Sequence, residues 1–117
     1  MQPVRYEDNT FLNNQVHLTA ILADESQFVN NTFKGTGPGL VPIGIGVTGD
    51  DILIFKNDFS DMPRGIQLVG GCPEHGTFLG ITTNPKVIAN RFCGVDQPIV
   101  IDPLVTGVKE HATKICP

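Results

Sequence analysis

Phe28-Val29-Asn30-Asn31-Thr32-Phe33 decides the reading of this chain, because its ending recurs three more times. An asparagine followed two residues later by a phenylalanine also stands at Asn9/Phe11, Asn57/Phe59 and Asn90/Phe92. The four asparagines are spaced by 22, 26 and 33 residues, so the repeat starts near the length of one solenoid coil and grows where loops can be inserted. No catalytic motif of comparable strength accompanies it.

Aligned on the asparagine, the copies resolve into columns. Three residues earlier stand Tyr6, Phe28, Ile54 and Val87, all apolar, as are the phenylalanines Phe11, Phe33, Phe59 and Phe92. Both columns suit the interior of a stack in which each coil covers the one below. Asparagine tolerates left-handed and bridge backbone conformations, and its amide both donates and accepts. Asn9, Asn31, Asn57 and Asn90 therefore predict a coil-to-coil ladder at a common bend.

A second apolar stretch follows each Phe: Val16-His17-Leu18, Ile45-Gly46-Val47, Ile66-Gln67-Leu68 and Ile99-Val100-Ile101. In three of them the middle residue is polar or glycine, the in-out-in pattern of a half-buried strand. Gly44, Gly65 and Pro98 precede three of these stretches and predict a bend between two strands.

The columns are similar to those of the right-handed parallel β-helix superfamily, which includes pectate lyases, polygalacturonases and other carbohydrate-associated proteins. The resemblance spans roughly residues 4 to 102 and implies a short all-β solenoid of about four coils, with a tail at 103–117. Members usually have many more coils, and the first copy is the weakest here, since Glu7 and Asp8 precede its Asn. The superfamily's activities are diverse, so the resemblance implies a fold more firmly than a function.

Composition agrees with one domain. Of 117 residues, 40% are hydrophobic and only 17% charged, and the 13 glycines and 9 prolines favour turns and strands over amphipathic helices. A net charge of −4 without a Lys/Arg cluster speaks against nucleic acid. No apolar run reaches the ~18 residues of a membrane span, and MQPVRYEDNT lacks the apolar centre of a signal peptide. Asn30-Asn31-Thr32 is an acceptor sequon for glycosylation at Asn30, which fits an extracellular or secreted setting. Cys72, Cys93 and Cys116 lack metal-binding spacing; they fit either one disulfide that pins a loop or the tail, or three reduced buried thiols.

Asp24-Glu25 and Asp50-Asp51 occupy the same columns, seven and six residues before the ladder Asn. In adjacent coils their carboxylates approach within about one strand spacing, a pattern that solvated turns explain and that calcium would also suit. The resemblance implies a second use of carboxylates, in a polysaccharide lyase or hydrolase acting on acidic glycans, with Asp58, Asp61 and Arg64 as its residues. Arg91 shares the column of Asp58, however, and a cross-strand ion pair accounts for both; the Asn-Asp-Gly and Gly-His-Gly signatures of polygalacturonases are absent. His75 in Cys72-Pro73-Glu74-His75-Gly76 has an acid beside it, but sequence neighbours on a loop do not make a dyad. His17 and His111 lie far from it, and the glycines of 35–39 lack the Lys-Ser/Thr of a phosphate loop.

One column breaks the pattern. Two residues before the Asn stand Glu7, Val29, Phe55 and Ile88, where alternation points side chains outward; Leu53 lies on the same face. Such an apolar stripe predicts a cover, either the segment Leu104-Val105-Thr106-Gly107-Val108 and the tail behind it or a second subunit. Thin caps at both ends of the stack predict homo-oligomers or filaments. The first expectation is therefore a non-catalytic structural or self-assembling module that contacts glycan, and the second a polysaccharide-active enzyme.

Overall fold

The computed structural model describes residues 4–12, the backbone of 16–20, and residues 24–35, 43–70 and 81–116. Cys72, His75 and residues 36–39 lie outside the described residues, as does the side chain of His17. The described chain is all-β, with no helix among its residues. Its strands are β1 (Arg5–Glu7), β2 (Thr10–Leu12), β3 (Val16–Ala20), β4 (Gln27–Val29), β5 (Thr32–Lys34) and β6 (Ile43–Val47). There follow β7 (Leu53–Phe55), β8 (Asp58–Leu68), β9 (Lys86–Ile88), β10 (Arg91–Ile101), β11 (Lys109–His111) and β12 (Lys114–Ile115).

All the strand pairs are parallel, and the columns of the repeat are their register. One five-stranded sheet runs β1-β4-β7-β9-β11, placing Tyr6 beside Phe28, Phe28 beside Ile54 and Ile54 beside Val87. The second sheet runs β12-β10-β8-β5-β2, with β6 joining β3 to β8, and sets Phe11, Phe33, Phe59 and Phe92 in one file. The two inner faces meet in a single core that contains Phe28, Ile54 and Val87 from one sheet and Phe33, Phe59, Phe92, Ile45 and Ile66 from the other. Within the file the phenylalanine rings stack with centroids 4.9, 4.9 and 5.0 Å apart and nearly parallel planes. The strand spacing of a parallel sheet sets this interval, so the rings stack as a consequence of register.

The asparagine ladder forms with the same geometry at each step. Asn31 Nδ2 donates to Asn57 Oδ1 at 3.0 Å, and Asn57 Nδ2 donates to Asn90 Oδ1 at 3.1 Å. Each Nδ2 also reaches back to a carbonyl in the preceding copy: Asn31 to Tyr6, Asn57 to Phe28 and Asn90 to Ile54. Asn31, Asn57 and Asn90 are buried, so these bonds satisfy groups that water does not reach.

Four expectations need correction. The left-handed residue at the bend is not the asparagine but the one before it: Asp8, Asn30, Lys56 and Ala89 have φ of 59, 55, 57 and 56°. A second left-handed column, Glu25, Asp51 and Asn84, lies six residues before the ladder position. The asparagine column thus serves its amide chemistry, while the neighbour absorbs the turn.

Gly65 and Pro98, expected at bends between strands, fall inside the continuous strands β8 and β10. The glycines make room for the ring file instead: a Cβ at Gly44 would sit 2.6 Å from the Phe59 ring, and one at Gly65 would sit 2.5 Å from that of Phe92. The first copy is also shifted, because Leu18 and not Val16 pairs with Ile45. A shift of two residues keeps the same face inward, which is why alternation alone did not reveal it.

The repeat, expected to end near residue 102, continues into the tail. β11 pairs with β9 and β12 with β10, matching Val87 to Glu110 and Phe92 to Ile115. Lys86-Val87-Ile88-Ala89-Asn90-Arg91-Phe92-Cys93 is echoed by Lys109-Glu110-His111-Ala112-Thr113-Lys114-Ile115-Cys116, with Ala112 at φ 56° in the same left-handed position as Ala89. The tail therefore extends both sheets sideways and does not cover the apolar stripe. Val105 and Val108 pack against the core, and Leu104 is exposed.

Candidate functional site

The outer face of the five-stranded sheet carries two side-chain rows, fixed by alternation about the inward Tyr6-Phe28-Ile54-Val87 column. One is Arg5, Gln27, Leu53, Lys86 and Lys109, and the other is Glu7, Val29, Phe55, Ile88 and His111. The rows are apolar in the middle and charged at both ends. Val29 is buried at 8% exposure, whereas Leu53, Phe55 and Ile88 remain half-buried among the described residues.

Gln27, Asp51, Leu53, Phe55, Lys86 and Ile88 line an open groove of about 410 Å³. A smaller recess of about 240 Å³, lined by Val4, Arg5, Glu25 and Gln27, continues from it across Gln27. The Lys56 ammonium lies over the Phe55 ring, 5.1 Å from its centre and within cation–π range. At the first-copy end, Arg5 bonds Gln27 and pairs with Glu7 at 2.8 Å. The hydrogen bond that Arg5 donates to the Glu7 carboxylate raises the Arg5 pKa above its ordinary value. The groove thus offers an aromatic and aliphatic floor with an amide, a carboxylate and ammonium groups around it, the composition of a small-ligand site.

The acidic columns are in register as expected, with the Glu25 N–H donating to the Asp50 carbonyl at 2.8 Å. The carboxylates of Asp24 and Asp50 hold successive bends: Asp24 Oδ1 accepts from the Asp50 N–H at 2.9 Å, and Asp50 Oδ1 accepts from the Thr83 hydroxyl. Among the described residues no three His, Cys, Asp or Glu side chains form a group that could hold a metal ion.

Asp58, Asp61 and Arg64 all lie on β8 but have separate surroundings. Asp58, half-buried, faces the exposed Arg91 at 3.7 Å as a cross-strand ion pair. Asp61 is exposed at a left-handed position beside Gly94, and Arg64 donates to Gln67 Oε1 at 3.2 Å. Asn30 is exposed at its bend and donates to Asp8 Oδ1 at 2.6 Å, so the sequon nitrogen is at the surface while the neighbouring ladder residue Asn31 is buried.

Of the cysteines, Cys93 and Cys116 are joined by a disulfide. Of the groove's polar margin, Gln27 and Lys86 escaped the sequence reading, and Asp51 entered it only as a calcium candidate. The signal of Gln27 and Lys86 was present in the column two residues before the apolar one, where Leu53 had been noted alone. No family model, curated protein or solved structure matches the chain.

Proposed function

We propose that the chain is a short right-handed parallel β-helix, similar to the pectate-lyase-like superfamily, acting as a non-catalytic extracellular module that contacts glycan through the outer face of its five-stranded sheet. The asparagine and phenylalanine files support the fold, since parallel in-register pairing throughout the repeat is what such a helix requires. The disulfide supports an oxidising compartment.

The observation that carries the function is the open groove at Phe55. A flat half-exposed ring flanked by Gln27, Asp51 and Lys86 gives a sugar ring an apolar platform and hydrogen-bonding partners at its edge. Binding without chemistry fits the separate engagement of Asp58, Asp61 and Arg64.

Calorimetric titration with neutral and acidic oligosaccharides tests the reading. The expected result is saturable binding to the wild type and at least tenfold weaker binding to Phe55→Ala, with the same unfolding midpoint in both. Absence of binding by any glycan, or release of shortened products from an acidic polysaccharide, would overturn it; the latter would bring forward the polysaccharide-active enzyme.

A second reading rests on the apolar content of the same groove: Leu53, Phe55 and Ile88 also suit a second copy of the chain. Light scattering coupled to size exclusion separates the two. A defined oligomer that Phe55→Ala dissolves would make the face a self-assembly surface.

A further inference from the structure

The parallel pairing of β12 with β10 brings Cys116 opposite Cys93, and the disulfide joins them across a Cα distance of 4.8 Å, 23 residues apart in sequence. The last copy of the repeat is held to the fourth by this bond and by little packing. In the inward column where the earlier copies have Phe28, Ile54 and Val87, it has an exposed Glu110. In the ring file it has Ile115, exposed at 59%, and in the asparagine column Thr113, whose hydroxyl donates to the Glu110 carboxylate at 2.8 Å. Every residue of β11 and β12 is exposed.

Backbone hydrogen bonds cross the seam. Lys109 donates to Pro85, Lys114 to Asn90, Cys116 to Phe92, and Ala89 to His111. Solvent-exposed bonds of this kind contribute little net stability, whereas a covalent link closing a loop of this size strongly restricts the detached state.

We propose that residues 109–116 form a redox-gated cap. With the disulfide intact the cap covers the edges of β9 and β10 and the buried side chains of Val87, Asn90 and Phe92. A dithiol reductant transfers two electrons and two protons to the Cys93–Cys116 bond. This yields two cysteine thiols and the reductant's own disulfide, and the cap then detaches and leaves a strand edge open to pairing. Lys109 and His111 of the cap lie beside Lys86 and Ile88 of the Phe55 groove, but the test below reads amide exchange and not glycan binding, so the two proposals fail separately.

Residue-resolved hydrogen exchange on the whole chain, oxidised and then reduced with a dithiol, tests it. Reduction is expected to speed exchange at the amides of Ala89, Lys109, Lys114 and Cys116 roughly a hundredfold, the scale of the lost loop restriction. The amides of Asn57 and Arg91, bonded to Asn90 and Asn57, stay protected. The double variant Cys93→Ser/Cys116→Ser should show the same pattern without reductant. Unchanged protection of the four amides in either experiment would overturn the cap, as would a uniform rise across the chain, which would make the bond a support of the whole fold.

Discussion

Asn57 Oδ1 accepts two hydrogen bonds from Asn31, one from its backbone N–H at 2.9 Å and one from its side-chain Nδ2 at 3.0 Å. Its own Nδ2 donates onward to Asn90 and back to the Phe28 carbonyl. Asn57→Ala therefore strands a buried N–H and a buried carbonyl at once. The expected loss is about 3 kcal/mol, or on the order of 10 °C in melting temperature. Denaturant unfolding of Asn57→Ala beside Asn9→Ala checks this, because Asn9 is exposed and its loss should cost less than half as much.

Gly65 tests the ring file from the opposite side. Its missing side chain is the space in which the Phe92 ring edge lies, and the Pro98 carbonyl is 2.6 Å from where a Cβ would be. Neither the backbone nor a ring held between Phe59 and its own strand can withdraw, so Gly65→Ala should destabilise by about 2–3 kcal/mol. An unfolding midpoint within error of the wild type would show that the file has slack.

Ala89 is a non-glycine residue at φ 56°. That conformation costs an L-residue about 1–2 kcal/mol, and glycine avoids it while losing about 0.5–1 kcal/mol of chain entropy. Ala89→Gly should consequently match the wild type or exceed it by up to about 1 kcal/mol, the reverse of the usual effect of glycine in a β protein. Ala89→Val should lose more than about 1 kcal/mol, because branching worsens the left-handed clash. Paired denaturation curves of the two variants read the sign directly.

Thr113 stands where a further asparagine would extend the ladder. Thr113→Asn gives up the hydroxyl bond to Glu110, which is exposed, and supplies an amide oxygen in the position that Asn90 offers to Asn57. A gain of about 1 kcal/mol is expected, appearing as slower exchange of the cap amides in the oxidised protein. Equal or faster exchange would mean that the last copy does not reproduce the geometry of the earlier ones.

The asparagine and phenylalanine files were legible because one residue type recurs at a fixed offset and only a stack in register gives both columns a reason. The left-handed column was not, since Asp8, Asn30, Lys56 and Ala89 share no side-chain chemistry. Their conformation is imposed by bonds from their N–H groups to Val29, Phe55, Ile88 and His111 in the following copy. The last copy was missed for a related reason: Thr113 and Ile115 replace the two diagnostic residues, and the remaining match, from Lys109 to Cys116, lies in residues that the stack does not bury. Asp58 and Arg91 pair as their shared column suggested. The apolar stripe was legible as Val29, Leu53, Phe55 and Ile88, but the path of residues 103–116 beside the sheet rather than over it was not, because a pattern of alternation says which way a side chain points and nothing about where a distant tail goes.

The ladder also has a direction. In Asn31 and Asn57 the amide oxygen faces the preceding copy and the nitrogen donates to the following one, so their dipoles add along the stack axis as peptide dipoles add along a helix. In a low-dielectric core such a chain polarises its own members. The two ends of the molecule are then electrostatically unlike, the first copy presenting the negative pole and the last the positive one. An acidic group is best placed at the positive pole, and the inward position there is occupied by Glu110.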